Sequence, residues 1–292
     1  MSSHYTDMLY PDTANCPVHV YRVTASDTTA AIPLQSHTEH EILCVIQGEM
    51  TLHINNICYE AGAGDMFWIQ SGALVTVEDM SANCVYYYAL VDLRSMVAHE
   101  SAFLTYCDRM DDNTWRIDTF LGRNPMTLRE TFDQLVRCSK TRSTLGSQFE
   151  MRGLVMQFVG RILQDGRWHT TEQMLDPDVR AQRAVRRVLA LIEDRYSQEL
   201  TLADMAKAAE LSPNYFCRYF KKIAGCSPVE YLIDYRLNTA AYMLTTTEDG
   251  IADIALACGF NDTSHFIKFF RRKKGVTPRR YRQMHAKQAP VD

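Results

Sequence analysis

The chain has no apolar run approaching the roughly 20 residues needed to cross a bilayer, which excludes a helical membrane span, and no membrane partner is expected. Its start, MSSHYTDMLYPD, lacks the basic opening and apolar stretch of a secretory signal, so the expected location is the cytoplasm. None of the nine cysteines stands in a C-x-x-C pair, and nine is an odd number. Neither the paired spacing of a zinc site nor the regular framework of a disulfide scaffold is present, which leaves reduced, mostly buried thiols. Net charge is also small, −4 over 292 residues. That total hides a division. From Arg180 to Lys287 there are 19 Lys and Arg against 11 Asp and Glu, while the remainder carries 12 against 24. One part is suited to a polyanion and the other is not.

A chain of this length supports about two domains, each with its own core. From Val18 to Val91 short runs of β-formers (VHVYRVT, EILCVIQ, MTLHIN, MFWIQ, LVTV, VYYYALV) are separated by turn signals such as IQGEM and EAGAGD. Strands this short and closely spaced predict an antiparallel sandwich or small barrel. After about Arg94 the apolar period becomes helical, as in Leu154, Phe158, Ile162 and Leu163, giving helices that pack on the barrel or on a second subunit. Trp168 to Gln182 has little periodicity and contains a proline, and reads as connecting chain. Beyond it the pattern is helical throughout, beginning with the stripe Val185, Val188, Leu189 and Ile192. The expected fold is therefore two-domain α+β. An antiparallel β-barrel with flanking helices spans 1–167, a connector 168–182, and an all-α domain 183–292.

The C-terminal part repeats itself. GCSPVEYL, starting at Gly225, is echoed by GVTPRRYR, starting at Gly275. Phe216, Arg218 and Phe220 likewise answer Phe266, Lys268 and Phe270 at the same offset, and Lys221-Lys222 answer Arg271-Arg272. Upstream, ADMAKAAELSPNYF matches ADIALACGFNDTSHF with one extra residue, at the turn. Each copy reads as a short helix, a tight turn and a second helix, with small alanines where the two must approach; Gly259 permits the second turn, and Asn261 or Asp262 caps the helix after it. In the trailing helices the phenylalanines four apart share the buried side. Asn214, Cys217, Arg218 and Lys221, then Thr263, Ser264, Ile267, Lys268 and Arg271, point away from it. Short polar side chains followed by cations suit a helix entering a major groove, touching base edges first and phosphates further along. Two such helices on one rigid unit would read groove segments one turn, ~34 Å, apart.

The run IADIALACGFNDTSHFIKFFRRKKGVTPRRYR resembles the signature of the AraC/XylS family of bacterial transcription regulators, over about Arg183 to Met284. The resemblance implies a seven-helix DNA-binding domain with two helix-turn-helix units. Its base-facing positions fall on Asn214, Cys217 and Arg218, and on Thr263, Ser264, Ile267 and Lys268. Separately from the resemblance, Arg272, further along its helix, is expected to meet phosphate. Ile267 suits a thymine methyl. HTEHEILCVIQGEM followed by EAGAGDMFWIQSG is similar to the two motifs of a cupin, with His37, Glu41 and Gly48 on the family's spacing. Gln35 stands where a first histidine would be and Val75 near the place of another, so the ligand set of a metal-dependent cupin is incomplete. No cofactor, metal or catalysis is expected. A barrel interior of this kind would hold a small organic effector, with a sugar or related metabolite suited to aromatic planes and carboxylates. Its candidate contacts are His37, Glu39, Glu41, Trp68, Tyr86 and Tyr88. Promoter DNA, a second copy of the chain and RNA polymerase are the expected partners. Two alternatives stay open: a constitutive activator whose barrel only dimerises, and a metal-dependent cupin enzyme fused to a DNA-binding domain.

Overall fold

A computed structural model of the chain describes residues 16–25, 32–55, 57–97, 100–111, 114–141, 144–170 and 177–285. They form two compact units that divide between Val179 and Arg180.

In the first unit, β-branched and aromatic runs alternate side chains between two faces and pair into two antiparallel sheets. One holds β1 (Val18–Thr24), β8 (Val85–Val91), β3 (His40–Gln47), β6 (Asp65–Ile69) and β10 (Phe120–Arg123) in that order; the other holds β2 (Ile32–Gln35), β7 (Val75–Met80), β4 (Glu49–Ile54) and β5 (Ile57–Gly62). Gly48 makes the turn from β3 to β4 at φ +76°, where a Cβ would meet the Cys84 backbone at 2.7 Å, so only glycine fits. The sheets share one core, with Tyr21, Leu43, Val45, Phe67 and Tyr88 from the first and Leu52, Ile54, Val75 and Val77 from the second. The intervening residues Ile42, Cys44, Met66, Trp68 and Ala89 form a separate core on the other side of the five-stranded sheet. That core is closed by α3 (Met126–Ser139) and α4 (Leu145–Gln164), through Leu128, Phe132, Met151, Val155 and Phe158. Because both faces of β3 are covered, its residues from His40 to Val45 are all buried, which explains the unbroken apolar run ILCVI. Each fully buried phenylalanine there contributes roughly 1.5–3 kcal/mol. Two short helices, α1 (Leu93–Met96) and α2 (Ser101–Asp111), follow β8.

The stretch read as connector, 168–182, is partly regular structure. Trp168–Thr170 forms β11, paired with β9 (Trp115–Ile117), and α5 (Pro177–Arg195) starts before the expected boundary. Pro177, a break by its sequence context, opens this helix. At the first helical position its missing N–H is no loss and its fixed φ suits the helix. Residues 171–176 lie outside the described part.

The second unit contains seven described helices: α5, α6 (Leu202–Ala209), α7 (Pro213–Ala224), α8 (Pro228–Thr246), α9 (Ile251–Ala257), α10 (Thr263–Lys274) and α11 (Pro278–His285). The repeat has a structural meaning. Gly225 and Gly275 end α7 and α10 with the same left-handed cap, at φ 70° and 75°. Phe216, Phe220, Phe266 and Phe270 are completely buried. The inner turns differ: Glu210 takes the left-handed conformation in the first copy and Gly259, at φ +79°, in the second. A Cβ on Gly259 would meet the Tyr196 carbonyl oxygen at 2.6 Å. Asp262 caps α10 by accepting from the Ser264 and His265 amides. The helix α8 joins the copies, begun by a reciprocal Ser227–Glu230 capping box. Arg236 on it donates to the carbonyls of Tyr196 and Gln198, and Lys273 of α10 reaches Asp234 at 2.6 Å. The first two bonds tie α8 to the chain after α5, and the last ties α10 to α8.

Candidate nucleic-acid interface and barrel interior

The two trailing helices present the side chains that the repeat singled out. Asn214, Arg218 and Lys221 on α7 are exposed, and Cys217 is half-buried. On α10, Ser264, Ile267, Lys268, Arg271 and Arg272 are exposed, with Thr263 half-buried at the start. Arg218 and Lys268, equivalent in the two copies, both face solvent. Along α10 an open groove of about 510 Å³ is bordered by Ser264, Ile267, Lys268 and Arg271 and closed by Thr277 at the head of α11. A polar N-terminal end with four consecutive basic residues in the last turn gives the helix a base-sized contact edge and a cationic tail. Half-burial makes Cys217 and Thr263 weaker contact candidates than their exposed neighbours.

In the first unit, alternation decides which candidates share the space between the sheets. Glu41 lies opposite Ile69 on β6 and Leu90 on β8, and both belong to the core between the sheets, so Glu41 faces inward with them. Tyr86 and Tyr88 face the same way, and Tyr88 stacks on Tyr21 with centroids 4.9 Å apart. Trp68 does not join them. It pairs with Ile42, between the inward-facing Phe67 and Ile69, and stacks on His40 at 5.1 Å in the helix-facing core. The period of two puts it on the opposite face of the sheet from Glu41, which removes it from the proposed effector contacts. Glu39 sits in the loop after β2, half-buried, and accepts from the Thr38 hydroxyl. The sequence reading missed Tyr21 and His19, although alternation along VHVYRVT places both on the inward side with Val23.

The interior carries buried polar groups that lack partners. The Glu41 Oε2 and both ring nitrogens of His37 have no hydrogen bond among the described residues. Burial pushes the Glu41 carboxyl up to about 8, so at neutral pH it is chiefly the uncharged acid. Burial also depresses His37 to about 4, against a smaller opposing pull from Glu39, so its imidazole is neutral. Both sit where the loops after β2 and β6 are clasped: Gly72 donates its amide to the His37 carbonyl at 2.7 Å, and the Ser71 hydroxyl donates to Thr38. A neutral carboxylic acid and a neutral imidazole can each donate and accept, which suits them to orient a small polar molecule. No buried Lys or Arg is found among the described residues.

Comparison with known proteins agrees with this division. Residues 17–159 match the family of AraC-like ligand binding domains, and residues 205–284 match a helix-turn-helix domain family. The HTH-type transcriptional regulator YdeC of Bacillus subtilis is 26% identical over 278 residues, covering 94% of each chain. The HTH-type transcriptional activator RhaS of Klebsiella pneumoniae is 25% identical over 260 residues, covering 87% of this chain and 88% of its own. Among solved structures, ToxT from Vibrio cholerae superposes with a TM-score of 0.51 at 16% identity, over 91% of this chain and 97% of ToxT, a likeness of fold.

Proposed function

We propose, from the premise that the chain belongs to the AraC family of DNA-binding transcription regulators and carries that family's ligand-binding domain, that a small organic effector held between the two sheets biases how the repeated helical hairpins engage promoter DNA. The observation that carries the reading is the pair of equivalent helices, α7 and α10, with exposed polar and cationic side chains at matching positions of one compact unit. Asn214, Arg218, Ser264, Ile267 and Lys268 are assigned to base edges; Lys221, Arg271 and Arg272 to phosphates; Cys217 and Thr263 to the margins of the contact. Effector binding and dimerisation are assigned to 1–167 and DNA binding to 183–292.

The unpartnered polar atoms of His37 and Glu41 favour an effector over a barrel that only dimerises, because a buried polar atom without a hydrogen bond costs ~1–3 kcal/mol that a bound molecule would recover. Tyr86, Tyr88 and Tyr21 would supply the apolar and aromatic walls, and a sugar or related metabolite fits that chemistry. An effector can shift the regulator only by its differential affinity for two arrangements of the protein. A second copy of the chain is assigned to the outer face of α4, where Leu145 and Phe149 are 71% and 70% exposed while the opposite face closes the core. As a regulator of transcription the protein acts through RNA polymerase, in the cytoplasm where the promoter is. No described helix is long and apolar enough to cross a membrane.

The test is affinity for a duplex selected from a random-sequence pool against an unselected duplex, measured at two salt concentrations. A preference of ~10³-fold or more, with affinity falling steeply as salt rises, supports the reading. Equal affinity for both duplexes refutes it. A thermal-shift screen with neutral sugars and small metabolites tests the effector, since a ligand of the native state alone raises the midpoint.

A further inference from the structure

We propose that each recognition helix carries, beside its base-facing side, a second stripe that grips the phosphate backbone of the groove wall: Tyr215 and Lys222 on α7, and His265 and Arg272 on α10. The inference rests on the DNA-binding assignment and adds three of these four residues to it.

The stripe is part of the repeat. Tyr215, Tyr219 and Lys222 stand 50 positions before His265, Phe269 and Arg272, so each helix reads aromatic, aromatic, cation at intervals of four and three. At about 100° per residue these three positions fall within roughly 60° of one another. They form a shoulder between the base-facing residues and the buried phenylalanines. A helix with its side chains is ~10–12 Å across and a major groove is ~12 Å wide, so a helix whose one side meets the base edges turns its shoulder towards a strand backbone.

The middle aromatic is anchored in the unit and supports the outer two. Tyr219 is buried and lies parallel to the exposed ring of Tyr215, with centroids 6.2 Å apart. Phe269, half-buried, receives the edge of His265 at 5.4 Å on one turn and the Arg272 guanidinium 4.7 Å from its centroid on the next. A guanidinium already laid against a ring loses less rotamer freedom on meeting a phosphate. The polar ends that remain outward, a phenol hydroxyl, an imidazole and two cations, are the donors that phosphate oxygens take. Among the described residues Lys222 and Arg272 make no ion pair, whereas Lys273, next along the chain, is held by Asp234. Arg272, left for a partner, and Lys273, kept for the fold, are thus adjacent in sequence and different in use.

The experiment measures the full chain and the variants Lys222→Ala, Arg272→Ala and Tyr215→Phe against the selected and an unselected duplex, from 50 to 200 mM salt. Each lost cation should lower the slope of log affinity on log salt by about 0.9, so that the affinity deficit of the variant shrinks about 3.5-fold across that range. The deficit should be the same on both duplexes. Tyr215→Phe should weaken both duplexes alike with the slope unchanged, because the lost donor is neutral. An unchanged slope in the two alanine variants, or a deficit confined to the selected duplex, overturns the stripe while leaving the DNA-binding assignment in place. Wild-type affinity that ignores salt would remove that assignment and the stripe with it.

Discussion

Replacing Glu41 with glutamine should flatten the dependence of barrel stability on pH. The carboxyl titrates near 4.5 in an unfolded chain and is raised to about 8 by burial in the folded one, so between these values the folded state binds the proton more tightly. The favourable contribution is fully present below about 4.5, declines as pH rises, and is lost once pH passes the folded value. At ~1.4 kcal/mol per unit, the decline from pH 4.5 to pH 7 is roughly 3 kcal/mol. Glutamine keeps the shape and cannot ionise, so the variant should gain by about that amount relative to wild type over the same interval. The comparison matters because His37 and His40, both depressed to about 4, lose stability as pH falls below 6.5 and mask the Glu41 slope in wild type alone. Denaturant titrations followed by tryptophan fluorescence isolate the right unit, since Trp68, Trp115 and Trp168 all precede Val179 and the sequence has no other tryptophan. Parallel stability profiles for wild type and variant would show that Glu41 is not buried as the neutral acid.

Alanine at Arg218 or Lys268 should cost ~1–3 kcal/mol on the selected duplex and much less on unselected DNA, read by competition binding. Phe149→Arg should convert a dimer to a monomer at micromolar concentration in sedimentation experiments, since a buried aromatic anchor is worth ~2 kcal/mol or more; an unchanged sedimentation coefficient would place the interface elsewhere. Asp262→Ala should destabilise the C-terminal unit by ~1 kcal/mol, because two amides of α10 lose their acceptor, with circular dichroism as the readout. Trp68→Phe should leave any effector-induced thermal shift intact, since its ring lies in the helix-facing core.

The helical unit was legible because repetition supplies an internal control. The buried phenylalanine pairs, the exposed Arg218 and Lys268, Gly259 at its turn and the closing glycines Gly225 and Gly275 all follow from aligning the chain with itself. The strands were legible from alternation, which also places Glu41 inward and His40 outward. Trp68 went astray because a large aromatic on a strand has no preference between two covered faces; only the register with Ile42 decides it. The connector was misjudged where Pro177 opens a helix and where β11 pairs with a strand about fifty residues earlier, a contact that local sequence does not announce. The pairing of aromatic and cation along α7 and α10 was in the repeat all along, but it needed ring geometry to separate it from ordinary helix surface.

Two joined hairpins should read one duplex together. Hydroxyl-radical footprinting on the selected duplex tests it directly. Hydroxyl radicals attack the sugars, so protection should cover the backbone flanking two major-groove segments about one helical turn apart, and Lys268→Ala should weaken it at one segment while Arg218→Ala weakens it at the other. A single protected segment, or weakening of the same segment in both variants, would mean that the two hairpins do not share one duplex.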